Sequence, residues 1–119
     1  MEAPLIRTRA VVGTAHASRY LQQLCKHWSH TFETEFDPTH GRIALPLGEA
    51  RLAAGPEALT IDLATDDAAS LPDFQGVLVR HLERFAFRET LEIVWSPATT
   101  AAAQAAPDRS ADDRPGGTA

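Results

Sequence analysis

The side chains with chemistry to offer in this 119-residue chain are five histidines, one cysteine and a spaced run of arginines. His27 and His30 lie three apart in a segment of helical periodicity. At roughly 100° per residue they point about 60° apart and could share one metal ion, with His40 in the following turn as a third ligand. A solvated helix flank beside Lys26 is the plainer reading of the same residues. Cys25 and His27 point about 160° apart on that helix and cannot ligate together. Cys25 falls between Leu21 and Trp28 on the apolar side, where a thiol acts as a small inert hydrophobe. A thiol enzyme would pair Cys25 with His81 from a second helix, with no third member or oxyanion hole in evidence. His81 is in phase with Phe74, Val77, Leu78 and Phe85. A histidine in such a stripe must find a hydrogen-bond partner, which predicts a neutral core histidine. The functional alternative is a polar group lining a pocket and touching haem or another ligand. Arg80, Arg84 and Arg88 recur every four residues. They are expected down one side of the second helix, where an acidic partner or anionic ligand could bind, or where they are simply solvated beside Glu83.

These groups need elements to hold them. Residues 5–13, with Leu5, Ile6, Ala10, Val11 and Val12, read as a strand ending at Gly13. Residues 18–32 put Tyr20, Leu21, Leu24, Cys25, Trp28 and Phe32 on one helical face, and Thr14 or Ser18 can cap that helix. The period then falls to two. Residues 34–36, Ile43 with Leu45, Ala50 with Leu52, and Leu59, Ile61 and Leu63 predict four short strands, expected as two antiparallel hairpins in series. Turns fall at 37–41, at Leu47-Gly48 and at Gly55-Pro56. Ser70 with Asp73 resembles a capping box opening a helix over about 71–86. Leu91, Ile93 and Trp95 alternate as a last strand. The order β-α-β-β-β-β-α-β predicts an α+β fold, a two-layer sandwich of an antiparallel sheet with two helices on one face.

Composition bounds the function. The formal net charge of -5 and the lack of a basic stripe argue against nucleic acid and anionic lipid as partners. No apolar run approaches the roughly 20 residues of a membrane span. A single cysteine excludes an internal disulfide framework and an all-cysteine zinc site. No apolar leader follows Met1, so a cytoplasmic protein is expected. The 22 residues after Pro97 hold no Val, Ile, Leu, Met or aromatic. Such a stretch buries too little to offset its ordering entropy. A single domain over 1–96 with a disordered Ala/Pro/Gly-rich tail over 97–119 is therefore expected.

The string from Ser18 to His30 (SRYLQQLCKHWSH), then Glu35-Phe36-Asp37 with Gly41-Arg42, then His81 to Glu89 (HLERFAFRE) and a segment ending in Trp95 together resemble the bacterial domain-of-unknown-function family 2218, over about 5–96. The resemblance implies a small cytoplasmic protein and, because the domain is also joined to siderophore-interacting flavin reductases, a link to iron uptake. It implies no catalytic residue. The reading reached here is a non-catalytic binding or accessory domain in bacterial iron-siderophore handling. Its partner would be a ferric siderophore or a siderophore-interacting flavin reductase, bound through Arg80, Arg84, Arg88 and His81. The alternatives are a haem- or transition-metal-binding protein using His81 or His27 with His30, and a thiol enzyme using Cys25.

Overall fold

The computed structural model describes residues 5–101. Its elements are β1 (Leu5–Gly13), α1 (Ala17–Trp28), β2 (Thr34–Phe36), β3 (His40–Leu45), β4 (Gly48–Ala54), β5 (Ala58–Thr65), a 3-10 turn (Ala68–Ser70), α2 (Leu71–Phe85) and a three-residue β6 (Thr99–Ala101). Five strands form an antiparallel sheet in the order β2-β3-β4-β5-β1, and β6 adds to the free edge of β1. The expected pair of serial hairpins is one continuous meander, because β3 also pairs with β4 along its whole length.

Alternation sorts the sheet into a dry and a wet face. Ala10, Val12, Leu59, Ile61, Leu63, Ala50, Leu52 and Ile43 face the helices and are buried. Both helices cover this face. α1 lies over β2, β3, β4 and β5, and α2 packs on β5 and on α1. The open face carries a row of directly opposed residues, Glu35, Arg42, Arg51, Asp62 and Arg9, one from each of the five strands. Arg9 grips Asp62 with two hydrogen bonds, of 2.6 and 3.1 Å. Arg42 and Arg51 face each other as like charges, and Glu49 accepts from both, at 3.0 and 2.9 Å. Cross-strand pairs of this kind hold register while keeping the face wet.

Two glycines are set by close approach. Gly48 closes the Pro46-Leu47 turn between β3 and β4 at φ +154°, and a Cβ there would lie 2.1 Å from the Ala64 carbonyl oxygen. Gly41 lets α1 sit down on β3, since a Cβ would lie 2.6 Å from Cys25 Sγ. The β2–β3 turn is fixed by Asp37, whose Oδ1 accepts from the Thr39 and His40 amides, both at 2.8 Å.

Several expectations need correcting. The first helix stops at Trp28 rather than 32, where the Ser29 hydroxyl donates to the Lys26 carbonyl and competes with the helical ladder. Phe32 still reaches the core from the turn beyond. Neither Thr14 nor Ser18 caps α1. Its N-cap is His16, without a side-chain cap, and the Thr14 hydroxyl instead accepts from the His16 amide. Ser70 makes no capping bond to α2. Asp67 caps the 3-10 turn by accepting from the Ala69 amide, and the Ser70 hydroxyl donates to the same carboxylate.

The last strand expected over 91–95 does not form. Leu91, Ile93 and Trp95 do alternate inward against the core, but the only ladder contact is a bridge from Trp95 to Ala10. Ser96 breaks the pairing between this bridge and Thr99–Ala101. Its hydroxyl, not a backbone carbonyl, accepts from the Arg9 amide at 3.1 Å, and Pro97 has no N–H to continue the ladder. Pairing resumes at Arg7 with Thr99, one residue out of step with the Ala10–Trp95 bridge. Thr99–Ala101 therefore lies on the sheet edge within the stretch read as tail. Residues 102–119 of that expected tail are outside the described residues.

The segment after α2 is tied down by Glu89. Its Oε2 accepts from the buried Tyr20 hydroxyl on α1 and from the Thr14 hydroxyl at 3.0 Å. The Tyr20 bond holds the Glu89 carboxyl below its ordinary value of 4.5. Burial, reinforced by Glu89, pushes the Tyr20 phenol above its ordinary 10.0.

Two outcomes follow for stability. Gly41→Ala should destabilise by about 1–3 kcal/mol through overpacking. Combining it with Cys25→Ala, which removes the sulfur it strikes, should cost clearly less than the sum of the two single changes. Urea unfolding of the four proteins measures this, and strict additivity would show that the contact does not limit the approach of α1. For Glu89, the folded value is depressed, so the unfolded chain binds more protons in the window below 4.5. Its stabilisation is complete above that value and is lost as pH falls through the folded value. For Tyr20, the folded value is raised, so its contribution is complete below 10.0 and is lost as pH rises through the folded value. Melting temperatures of wild type and Glu89→Gln should differ most in the neutral range and converge as pH falls through the folded value of Glu89. A gap that stays constant with pH would mean the tie adds nothing.

Candidate functional site

The helices run side by side and leave a cleft at each end of their contact. One, of about 410 Å³, lies between the C-terminal half of α1, the first half of α2 and the tip of the β3–β4 hairpin. Its walls are almost wholly apolar: Trp28, Phe32, Leu45, Leu47, Phe74 and Val77, with His27 and His81 as the imidazoles. The hairpin tip reaches it because Gly48 permits the tight turn. Trp28 reaches it because the apolar stripe of α1 runs to that helix's last residue.

His81 is the polar centre of this cleft. It is half-buried rather than enclosed in the core, which corrects the expectation of a core histidine. Its ring lies 4.9 Å from the Trp28 ring and 5.5 Å from the His27 ring, centroid to centroid. His81 Nδ1 lies 2.7 Å from the Val77 carbonyl oxygen, one turn back on the same helix. A carbonyl can only accept, so Nδ1 carries the proton in this bond. In the neutral imidazole this bond selects the tautomer whose Nε2 lone pair is open to a ligand or a metal.

The other sequence candidates are not brought together as expected. His27 neighbours His81 and Phe85, not His30, which lies beyond the end of α1. His40 is exposed in the β2–β3 turn, with Nδ1 3.0 Å from the Thr39 hydroxyl. Among the described residues no three His, Cys, Asp or Glu side chains gather as metal ligands. Cys25 is fully buried against Gly41 and Leu21, and burial pushes its thiol up to about 11. A thiol so protonated is a poor nucleophile. No hydrogen bond joins it to His81 or to any histidine among the described residues.

The arginine row is broken. Arg80 and Arg84 are exposed on α2, but the helix ends at Phe85 and Arg88 lies past it. Arg88 instead lines the second cleft, of about 400 Å³, with His16, Arg19, Gln23, Phe87 and Glu89. Sequence reasoning missed this grouping because it depends on where the chain turns after the helix. Phe87 lies in that bend and is 75% exposed.

A wider concavity, about 590 Å³, opens on the bare sheet face. Its charged side chains are mostly committed to one another, Asp62 to Arg9, Arg51 to Glu49, and Arg42 to Glu35 and Glu49. It offers an anion less uncommitted positive charge than the cleft lined by Arg19 and Arg88. No helix among the described residues is long and apolar enough to cross a membrane.

No curated protein matches this chain. Among solved structures it is similar to the NMR structure of PA4090 from Pseudomonas aeruginosa, with a TM-score of 0.66 and 40% sequence identity, over 77% of this chain and 96% of that one. The meander, the two covering helices and the motifs that supply Tyr20, His27, Trp28, His81 and Glu89 all lie within the span matched by one family model. Over residues 9–96 the chain belongs to the family described as "Uncharacterized protein conserved in bacteria (DUF2218)".

Proposed function

We propose that this protein is a non-catalytic ligand-binding domain whose site is the apolar cleft under Trp28 and His81. The observation that carries the reading is the state of His81. Its Nδ1–H is satisfied by Val77, its ring packs against Trp28 at a 44° tilt, and it is the one histidine bonded in this way in an otherwise apolar hollow. Apolar walls with a few polar groups to fix orientation are the general form of a small-molecule site. The volume and the aromatic lining favour a flat, largely uncharged molecule that lies between Trp28 and the hairpin tip and donates a hydrogen bond to Nε2. Nothing in the cleft supplies an activated nucleophile, so binding rather than turnover is the function proposed.

A second reading is favoured by the His27–His81 pair. Two imidazoles 5.5 Å apart, one with its distal nitrogen already tied to a carbonyl, suit a transition-metal ion or the iron of haem. The iron-siderophore reading rests on Arg80, Arg84 and Arg88, none of which lines this cleft, and shares only His81 with it.

The test is a titration of the purified, nitrogen-15-labelled protein with indole, with ferric haem and with a ferric catecholate, following for indole the amide shifts of Trp28, Val77 and His81. Indole should shift these amides saturably. His81→Gln should weaken indole binding about five- to tenfold, the size of one lost hydrogen bond. Val77→Trp, which fills the hollow from a half-buried position, should abolish binding without unfolding the protein. Binding that survives Val77→Trp unchanged would remove the cleft as the site. A haem Soret shift lost in His81→Gln would select the second reading, and ferric catecholate binding lost in Arg80→Ser/Arg84→Ser would select the siderophore one. Independently, Cys25 should react with a thiol reagent at least about 100-fold more slowly than free cysteine, at a rate set by local opening. Labelling at the free rate would return the thiol enzyme to contention.

A further inference from the structure

We propose that the second cleft of the helix pair binds a small oxyanion, a carboxylate or phosphate carried on an apolar body. This cleft opens between the first half of α1 and the segment just past α2, and no part of it belongs to the apolar site. Arg19 and Gln23 are four apart on α1 and share one face, and both line the cleft. Arg88 lines it from the chain beyond α2, and His16 from the residue before α1. Every one of these side chains is exposed and can donate a hydrogen bond.

The charge in the cleft is uncommitted. Of the four sheet arginines, Arg9, Arg42 and Arg51 are in ion pairs and Arg7 is not, and neither Arg19 nor Arg88 makes one among the described residues. The one acid in the lining, Glu89, is drawn toward the fold, since its Oε2 accepts from the Tyr20 and Thr14 hydroxyls. Two guanidiniums against one carboxylate leave an excess of positive charge in a chain of net charge -5. Arginine forks match the two oxygens of a carboxylate or phosphate.

Phe87 supplies the apolar part of the specificity. Its ring is largely exposed, and Arg88 Cζ stands 5.5 Å from the ring centroid. That stack holds the guanidinium partly in place before any ligand arrives, which lowers the ordering cost of binding. Half-buried Phe85 lines the same cleft. An anion with an aromatic or aliphatic body can place its charge between Arg19 and Arg88 and its body against Phe87.

The experiment uses the full chain, labelled with nitrogen-15, and four probes: benzoate, phenyl phosphate, inorganic phosphate, and benzylammonium as a cation of similar shape. Benzoate and phenyl phosphate should shift the amides of Arg19, Gln23 and residues 87–89 saturably. Inorganic phosphate should do so more weakly and benzylammonium not at all. The tighter of the two aromatic anions separates carboxylate from phosphate. Arg19→Gln and Arg88→Gln, both at exposed positions, should leave the melting temperature unchanged and each weaken binding about tenfold. Arg88→Lys should recover part of the loss, as charge returns without the fork. Equal shifts with benzylammonium, unchanged affinity in both Gln variants, or no shift at about 20 mM anion would overturn the proposal. Shifts confined to Trp28, Val77 and His81 would also overturn it, by placing the anions in the apolar cleft. Because probes and residues differ between the two clefts, either site can fail while the other stands.

Discussion

Helix α1 can lie only as close to the sheet as Cys25 and Gly41 allow. The sulfur occupies the space where a Cβ on β3 would be, so a small residue on the strand and a small side chain on the helix together set the separation of the two layers. Everything that lines the clefts inherits that distance. Trp28 is one turn further along the same face of α1 and is buried to 4% exposure only because the helix sits this low. Tyr20, on the same stripe toward the N-terminus, is thereby brought within reach of Glu89. The cysteine thus contributes by its size. Its reactivity is suppressed by the same burial, which is why a residue that invites a catalytic reading in the sequence does structural work in the fold.

The sequence is most informative where a periodic pattern meets a single constraint. The strict alternation of Leu59, Ile61 and Leu63, the 3.6-residue stripe from Tyr20 to Trp28 and the turn residues at 37–41 and 55–56 each translate directly into an element. Patterns mislead where a side chain intervenes in the backbone. Leu91, Ile93 and Trp95 alternate inward as a strand would but bridge β1 only at Trp95, and just beyond it the Ser96 hydroxyl takes an amide that a ladder carbonyl should have taken. Arg80, Arg84 and Arg88 keep a helical spacing across a helix end that the spacing itself does not reveal. A one-dimensional period carries no information about where hydrogen bonding will stop it, so the candidate sites built on His30 and Arg88 were assigned to faces that do not exist.

The two clefts differ because the helices present opposite chemistry at their two ends. Toward the hairpin tip, α1 and α2 face each other through Trp28, Phe74 and Val77, and water finds few partners there. Toward the start of α1, the same helices are flanked by Arg19, Gln23 and Arg88. Tyr20 and Phe85 mark the change from one to the other, each with a ring that is apolar toward the core. The Glu89 tie also shapes the polar cleft, since it fixes the chain beyond α2 and so fixes where Phe87 and Arg88 emerge.

His81 shows why a histidine in an apolar stripe need not be a core residue. The expectation of burial rested on the need for a partner, which an isolated imidazole in a core would have to find on another element. Here the partner is the Val77 carbonyl, four residues back on its own helix, an oxygen whose second lone pair remains after the helical bond. The side chain therefore satisfies one nitrogen without help from the rest of the fold. It is released from the core and can stand at a cleft wall, its ring tilted against that of Trp28 and its other nitrogen uncommitted. A histidine satisfied locally is also fixed in tautomer and in orientation, because the same bond sets which nitrogen is protonated and how the ring is turned. Preorganisation of that kind costs a binding site nothing at the moment of binding. It is the physical reason that this imidazole, rather than any of the four more exposed ones, is the centre of the apolar site.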